Sequence, residues 1–152
     1  MKKYRLTEET TKVGNRTLYR IQALRDFGNV KEGDIGGYIE SEKNLSQDGN
    51  AWVSGDARVY GNACVYGNAR VYGNADIKTT GDICSMSGFG SEYRTTTAFR
   101  TKNGDVHVSC GCFQGNLEAF CQRVESTHGN NLYGREYKKM IEMLKIHFEV
   151  EP

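Results

Sequence analysis

The sequence predicts a mainly β protein built from very short stacked strands, followed by a smaller α+β part. Residues 49 to 84 repeat one six-residue unit six times; position 3 of each unit is Ala or Gly, and position 5 is Val or Ile. Two inward residues placed two apart indicate a strand too short to be stable alone, so its backbone groups must pair with another copy. Most units begin with Gly followed by Asn or Asp, which suits a tight corner.

The repeat resembles the hexapeptide-repeat left-handed β-helix, in which three six-residue units form each triangular turn. The stretch GDIGGYIESEKNLSQDGNAWV closely resembles the segment that opens the repeats in hexapeptide proteins of tailed phages and some enterobacteria. The likeness covers roughly residues 1 to 84 and implies the left-handed sense, an exception to the usual right-handed crossover. We therefore expect a single-stranded left-handed β-helix of about three coils over residues 31–84.

Turns of three units predict which side chains lie above one another. The expected pairs are Val53 with Val71, Val59 with Ile77, Val65 with Ile83 and, on the outside, Arg58 with Asp76. An unbroken count back along the chain places Leu45 and Ile39 at position 3 and Ile35 at position 5. A two-residue insertion is the alternative, because Gln47 stands where an aliphatic residue is expected.

The flanking segments carry their own signals. Residues 1–30 read as a β-hairpin turning at Gly14 and Asn15, which we expect to cap the exposed strand edges of the coil. Residues 85–152 predict an α+β recognition module: strands at 92–100 and 106–110, one helix capped by Asn116, and a second helix at 133–148. The same module resembles a small unit seen in phage proteins of undefined activity.

Composition excludes several classes of protein. Twenty basic and 19 acidic residues leave a net charge of +1, so no nucleic acid polymer is expected as a partner. No apolar run approaches the ~20 residues of a membrane span, and the N-terminus lacks a signal-peptide core. We expect a cytoplasmic protein, in the host cytosol if it is phage-encoded, with its five cysteines reduced.

Aromatic and arginine side chains at outward positions predict an oligomer. Hexapeptide proteins usually form trimers through such a face, and these residue types anchor interfaces. The alternative is that the tyrosines cover neighbouring coils. We favour a homotrimer, because the tyrosines fall on three faces and a monomer has no evident use for them. The expected interface residues are Trp52, Arg58, Tyr60, Tyr66, Arg70 and Tyr72.

Two segments are candidates for ligand recognition. Glycines followed by arginines and threonines suit an anion, although a glycine pair before a strand is also ordinary. That candidate anion site consists of Gly88, Gly90, Ser91, Arg94, Thr95, Thr97 and Arg100. The second candidate is the loop between the two helices, which alternatively serves only as a connector. Its residues are His128, Asn130, Asn131 and Tyr133.

Catalytic and metal-binding residues are not evident. Acyl transfer, the best-known activity of left-handed β-helices, needs a general base, normally histidine, and residues 1 to 106 contain none. The repeats also lack the long loop that builds an acyltransferase cleft. Zinc ligands can be nominated among Cys110, Cys112, Cys121, His107 and His128, but a lone C-x-C is weak and core thiols are the preferred interpretation. We expect no catalytic residue, no metal and no cofactor.

These observations predict a non-catalytic, phage-type binding protein that presents three copies of the C-terminal module on a rigid body. The resemblance favours a role against host defences, through binding a host protein or sequestering a small anionic nucleotide signal. Two alternatives stay open. One is an acyltransferase-like enzyme, and the other is a structural component of a virion or polymer.

Overall fold

Short parallel strands stacked on one another form the repeat region, and two helices close the chain. The computed structural model describes residues 1–150. Within that range the strands are β1 (Tyr4–Val13), β2 (Arg16–Ala23), β3 (Ile35–Ile39), β4 (Trp52–Val53), β5 (Arg58–Val59), β6 (Arg70–Val71), β7 (Asp76–Ile77), β8 (Ile83–Phe89), β9 (Arg94–Arg100), β10 (Val106–Cys110) and β11 (Phe113–Asn116), and the helices are α1 (Leu117–His128) and α2 (Leu132–His147). The sheet orders are β1-β2-β3-β5-β7, β4-β6 and β11-β10-β9-β8.

The stack, residues 35–77, pairs in parallel at the predicted spacing of three repeat units. The confirmed pairs are Val53 with Val71, Val59 with Ile77, and Arg58 with Asp76. Backbone amides join successive turns; for example, Trp52 N donates to Ala69 O at 3.2 Å. The glycine corners of successive turns lie close together: a Cβ on Gly49 would be only 2.8 Å from the carbonyl oxygen of Gly67. A side chain at that corner would therefore force the turns apart.

The first turn of the stack carries two extra residues. Ile39 pairs with Val59 and Leu45 with Val65, so both pairs are two positions wider than three repeat units. The unbroken count from residue 31 is therefore wrong, and the two-residue insertion is confirmed between Leu45 and Val53. Ile39 and Leu45 occupy the position of the branched aliphatic and are fully buried, whereas Ile35 is 54% exposed.

The last repeat unit leaves the stack. Thr80–Asp82 forms a 3-10 turn, in which Asp82 Oδ2 accepts from the amides of Lys78 and Thr79 at 3.0 and 3.1 Å. Ile83 then pairs with Phe99 of β9, so the predicted pairing of Val65 with Ile83 is wrong. The physical reason is local: in this unit TTG replaces GNA, and Asp82 holds the turn.

The N-terminal hairpin belongs to the same sheet as the stack. β1 and β2 pair around the predicted turn at Gly14, and β2 continues onto β3. Tyr4 and Ile21 are fully buried in one core with the inner column of the stack. Gln47, which breaks the aliphatic pattern, binds β1 instead: its amide oxygen accepts from Lys3 N at 2.8 Å and from Tyr4 N at 3.2 Å.

The C-terminal module comprises β8–β11, α1 and α2. β9 and β10 form the predicted hairpin, whereas β8 and β11, which complete the sheet, were not predicted. Asn116 caps α1 as predicted, its Oδ1 accepting from Ala119 N at 2.8 Å, and Gly129 follows the last residue of the helix. Apolar residues of the two helices, with Phe148 directly after α2, pack into a second core: Leu117, Phe120, Val124, Tyr137, Met140, Ile141, Leu144 and Phe148.

The module covers the lower end of the stack. Phe99 of β9 is fully buried in the core of the stack and meets Tyr72 edge-on, with ring centroids 5.2 Å apart. The Tyr72 hydroxyl donates to Val108 O at 3.0 Å. The backbone of Thr101 forms an isolated antiparallel β-bridge with that of Ala75. The two parts of the chain therefore share one apolar core at this junction.

Candidate functional site

A polar cavity opens where the corners of the stack meet the module. We call it the arginine groove; its volume is about 310 Å³. It draws residues from five separate segments of the chain. The lining residues are Gly28, Asn50, Asn68, Arg70, Tyr93, Arg94, Thr95 and Gly111.

Arg70 is fixed in the groove by its backbone. Its amide donates to Thr97 Oγ1 at 3.1 Å, and its carbonyl accepts from Ser109 Oγ at 2.9 Å. These bonds leave the side chain free, and its guanidinium makes no ion pair or hydrogen bond within residues 1–150. The repeat therefore determines where Arg70 lies in the stack, and hydrogen bonds from the C-terminal module hold its backbone there.

Arg94 reaches the groove from the other side. It opens β9 and pairs with Phe89, directly after Tyr93, a non-glycine residue at φ 52° that is 71% exposed. The Arg94 side chain packs over Gly111, where a Cβ would collide with its guanidinium. In the described part of the chain, Arg94 also has no carboxylate partner. Two unpaired cations thus line one cavity without an acidic side chain among the lining residues.

The structure divides the predicted anion site. Arg94 and Thr95 line the groove, whereas Thr97 is buried and occupied by the Arg70 amide. Arg100 lies elsewhere, 3.8 Å from Asp82 and donating to Phe148 O at 2.9 Å. Arg100 lies six residues beyond Arg94 along β9, about 20 Å away, so the seven residues do not form one site.

The glycine segment of that prediction also lies outside the groove. Gly90 is buried against the Tyr137 hydroxyl, and its amide donates to Glu136 Oε1 at 3.2 Å. Gly88 and Ser91 are exposed beside it. These residues shape the β8–β9 turn and none of them lines the groove.

Several predicted interface residues contact other parts of the same chain. Trp52 is 7% exposed and packs edge-on against Phe27 at 5.3 Å. Tyr60 is 6% exposed beneath Arg16, and burial raises the pKa of its hydroxyl to about 12. Tyr72 binds the module. The premise that a monomer has no use for these tyrosines is wrong, although Tyr66 remains 63% exposed.

The loop between the helices is held by its own side chains. Asn131 caps α2 by accepting from Gly134 N at 2.9 Å, and Asn130 accepts from Lys138 Nζ at 2.6 Å. His128 stacks on Tyr137 with ring centroids 5.8 Å apart, and Tyr133 lies against His128 at the same distance. The connector interpretation accounts for each of these four predicted residues.

The cysteines and histidines do not gather into a metal centre. No group of three potential metal-ligating His, Cys, Asp or Glu side chains occurs among residues 1–150. Cys110 is buried, with Thr96 Oγ1 at 3.3 Å and the Tyr137 hydroxyl at 3.6 Å. Burial raises the pKa of the Cys64 and Cys84 thiols. Neither helix in this range is long and apolar enough to span a membrane.

The amides of the groove were not among the predicted site residues. Asn50 and Asn68 both occupy position 2 of their units and lie three units apart, so the stacking rule already places them on one corner. The structure agrees, since Asn50 N donates to Gly67 O at 3.0 Å. The repeat spacing could therefore have predicted the half of the groove that the stack supplies. The half that the C-terminal module supplies depends on how the module packs against the stack, which the repeat spacing does not predict.

Comparison with known proteins gives one distant similarity. No family model matches the chain. Over 61 residues it is 39% identical to the uncharacterized acetyltransferase YdcK of Escherichia coli (strain K12), covering 35% of this chain and 19% of that protein. The chain thus spans about a fifth of that relative's length. The similarity contradicts the prediction that the protein is not an enzyme, because the relative is named as an acetyltransferase.

Proposed function

We propose that the arginine groove binds a small phosphorylated molecule. The observation that carries this proposal is that Arg70 and Arg94, from different parts of the chain, line one cavity without a carboxylate. Guanidinium groups bind phosphate oxygens through paired N–H donors and keep their charge when partly buried. Two like charges beside one cavity repel each other, and a bound dianion removes that repulsion.

Uncharged groups around the arginines suit the same ligand. The side chains of Asn50 and Asn68 make no hydrogen bond within residues 1–150, so their amide donors face the cavity or solvent. Thr95 Oγ1 shares one hydrogen bond with Ser87 Oγ at 2.7 Å. Amide and hydroxyl donors complete phosphate sites in many proteins, because they add hydrogen bonds without further charge repulsion.

Isothermal titration with pyrophosphate tests the binding step. We expect saturable binding by the full chain, weakened about ten- to a hundredfold in Arg94→Ala and in Arg70→Ala, since a charged hydrogen bond contributes about 1.5–3 kcal/mol. Arg58→Ala is the matched control: Arg58 occupies the same repeat position as Arg70, is half-buried like it and lies outside the groove. No binding by the wild type, or an equal loss in Arg58→Ala, would contradict the proposal.

We propose acyl transfer as the second candidate activity, on the strength of the acetyltransferase similarity. Coenzyme A carries a 3′-phosphate and a pyrophosphate, which match the charge of the groove. In such a reaction an amine or hydroxyl attacks the thioester carbonyl, and the coenzyme leaves as its thiol. Chromatographic measurement of coenzyme A released from acetyl-CoA, with and without a panel of amines, tests the activity. No acceptor-dependent release would count against it.

We also propose the handedness of the stack, the oligomeric state, the location and the biological role that the sequence predicts. We propose that the stack is a left-handed β-helix of the hexapeptide-repeat type, supported by the six-residue unit and by parallel pairs spaced three units apart. A homotrimer, a cytoplasmic location and a role in binding a host protein or nucleotide signal are proposals carried from the sequence. Light scattering of purified protein tests the trimer, and a monomer at micromolar concentration would contradict it.

A further inference from the structure

A second cavity adjoins the arginine groove. We call it the side cavity; its volume is about 330 Å³, and Asn50 and Arg70 line both cavities. It lies between the segment that follows β2, the β4–β6 rungs and the β10–β11 hairpin. Its other polar lining residues are Asn29, Asp34, Ser54 and Gln114. Arg70 therefore stands at the junction of the two cavities.

The two cavities differ in charge. The arginine groove has two arginines and no carboxylate, whereas the side cavity adds one carboxylate, Asp34, and no cation beyond the shared Arg70. Asp34 Oδ2 accepts from Lys31 N at 2.9 Å, and its other oxygen has no hydrogen-bond partner among residues 1–150. A carboxylate repels a second phosphate but accepts hydrogen bonds from hydroxyl and amino groups.

The side cavity also has an apolar wall. Val30, Ile35, Trp52 and Tyr72 line it beside the polar residues, and Ile35 is 54% exposed. The amide side chains of Asn29 and Gln114 make no hydrogen bond in the described part of the chain, so each offers one acceptor and two donors. A flat ring with polar edges matches this combination of an apolar wall and free amides.

We propose that the two cavities together bind a nucleoside phosphate, with the phosphate groups at Arg70 and Arg94 and the sugar and base in the side cavity. This inference rests on the proposed phosphate binding and names the class of ligand. Each cavity has about the volume at which small-molecule sites begin, and a ligand that spans both can place its charged part at the two arginines and its uncharged part beside Asp34. Asp34 and Gln114 act on the uncharged part of the ligand.

Titration of the full chain with pyrophosphate, adenosine diphosphate and guanosine diphosphate tests the inference. We expect at least one of the nucleotides to bind about tenfold or more tightly than pyrophosphate, because the base adds contacts that pyrophosphate lacks. Asp34→Asn and Gln114→Ala should each weaken binding of that nucleotide by about three- to tenfold without weakening the binding of pyrophosphate. Asp26→Asn is the control for Asp34, because Asp26 accepts from a backbone amide, Glu32 N, in the same loop.

The outcomes separate this inference from the function on which it rests. Equal affinity for pyrophosphate and both nucleotides overturns the inference and leaves phosphate binding intact. Nucleotide binding that is insensitive to both side-cavity variants, or equally sensitive to Asp26→Asn, overturns it as well. If neither pyrophosphate nor a nucleotide binds, both proposals are wrong.

Discussion

The two ends of the stack are covered by different chemistry. At the upper end Lys3, fully buried, donates from Nζ to Ala51 O at 2.8 Å, and the Tyr4 hydroxyl donates to Leu45 O at 2.6 Å. At the lower end the ring of Phe99 closes the core, and uncharged hydroxyls of Thr97 and Ser109 bind the backbone of Arg70. Both covers satisfy backbone groups that a further turn of the stack would otherwise bind.

This contrast separates the roles of the two ends. The upper cover uses groups that titrate, so the pH dependence of stability is expected there. The lower cover holds the backbone of Arg70, which lines the groove, through two hydroxyls that do not titrate. Three substitutions test this division, in order of decreasing effect on the free energy of unfolding.

Truncating Phe99 should have the largest effect on the free energy of unfolding. We expect Phe99→Ala to lower the free energy of unfolding by about 3–5 kcal/mol, because truncating a buried Phe loses apolar burial and leaves a cavity. Urea denaturation measures the change, and Phe89→Ala, on an adjacent strand and 40% exposed, is the control. Similar losses in the two variants would show that Phe99 does not close the stack.

Removing the hydroxyl that holds Arg70 should have an intermediate effect. Thr97→Val keeps the shape of this buried residue but leaves the Arg70 amide without its acceptor, which costs about 1–3 kcal/mol. Thr95→Val, two residues earlier on the same strand, should change stability by less than about 1 kcal/mol. Chemical denaturation compares the two. Pyrophosphate titration of Thr97→Val also reports on the groove, and unchanged affinity would show that this bond does not position Arg70.

The smallest effect concerns Lys3 and pH. Burial, and to a lesser extent Arg25, lower the pKa of Lys3 to about 8, while Asp48 acts in the opposite sense. Between pH 8 and the unfolded value of about 10.4, the unfolded chain binds a proton that the folded chain does not. Lys3 should therefore add stability as pH rises from about 8 to 9.5, by at most about 1.4 kcal/mol per unit, while the half-buried Cys64 and Cys84 thiols act in the opposite sense.

Stability of Lys3→Met should therefore rise less, or fall more, with pH than that of the wild type, whereas Lys2→Met, which removes an exposed lysine paired with Glu42, should keep the wild-type pH dependence. Denaturation midpoints at pH 7.5, 8.5 and 9.5 measure the difference. The range stops below pH 10 because burial raises the pKa of Tyr4, whose ionisation in the unfolded chain lowers stability above that pH. An equal dependence of stability on pH in Lys3→Met and Lys2→Met would contradict the assignment of this effect to Lys3.

The sequence predicts the stack well because its contacts recur at a fixed spacing. Val53 with Val71 and Val59 with Ile77 follow directly from the six-residue unit. The early turn is harder, because Ile39 and Leu45 fit either inward position and only the pairing partner reveals the two extra residues. Gln47 was the visible irregularity, and its role lies in binding β1, a segment far away along the chain.

The groove is only half predictable for the same reason. Asn50 and Asn68 follow from stacking, but the approach of Arg94 depends on how β9 docks beneath the stack. The seven-residue anion site was wrong because its residues are spread along β9: Thr97 binds the Arg70 amide, and Arg100, about 20 Å beyond Arg94, binds Phe148 O. Contacts between the module and the stack carry no periodic signal in the chain.

The position of the two covers also determines how such a protein can change in length. Both are built from chain outside the repeats, and the upper cover also reaches the second turn, where Arg20 donates to Gly55 O at 3.1 Å and Arg16 lies over Tyr60. Duplicating three consecutive repeat units in the interior, ahead of Gly55, would add one whole storey while Lys3 and Phe99 kept their own neighbours. The groove would change with that length, because Gly28 belongs to the N-terminal segment and Arg94 to the module, and one added turn would move them about 4.8 Å further apart.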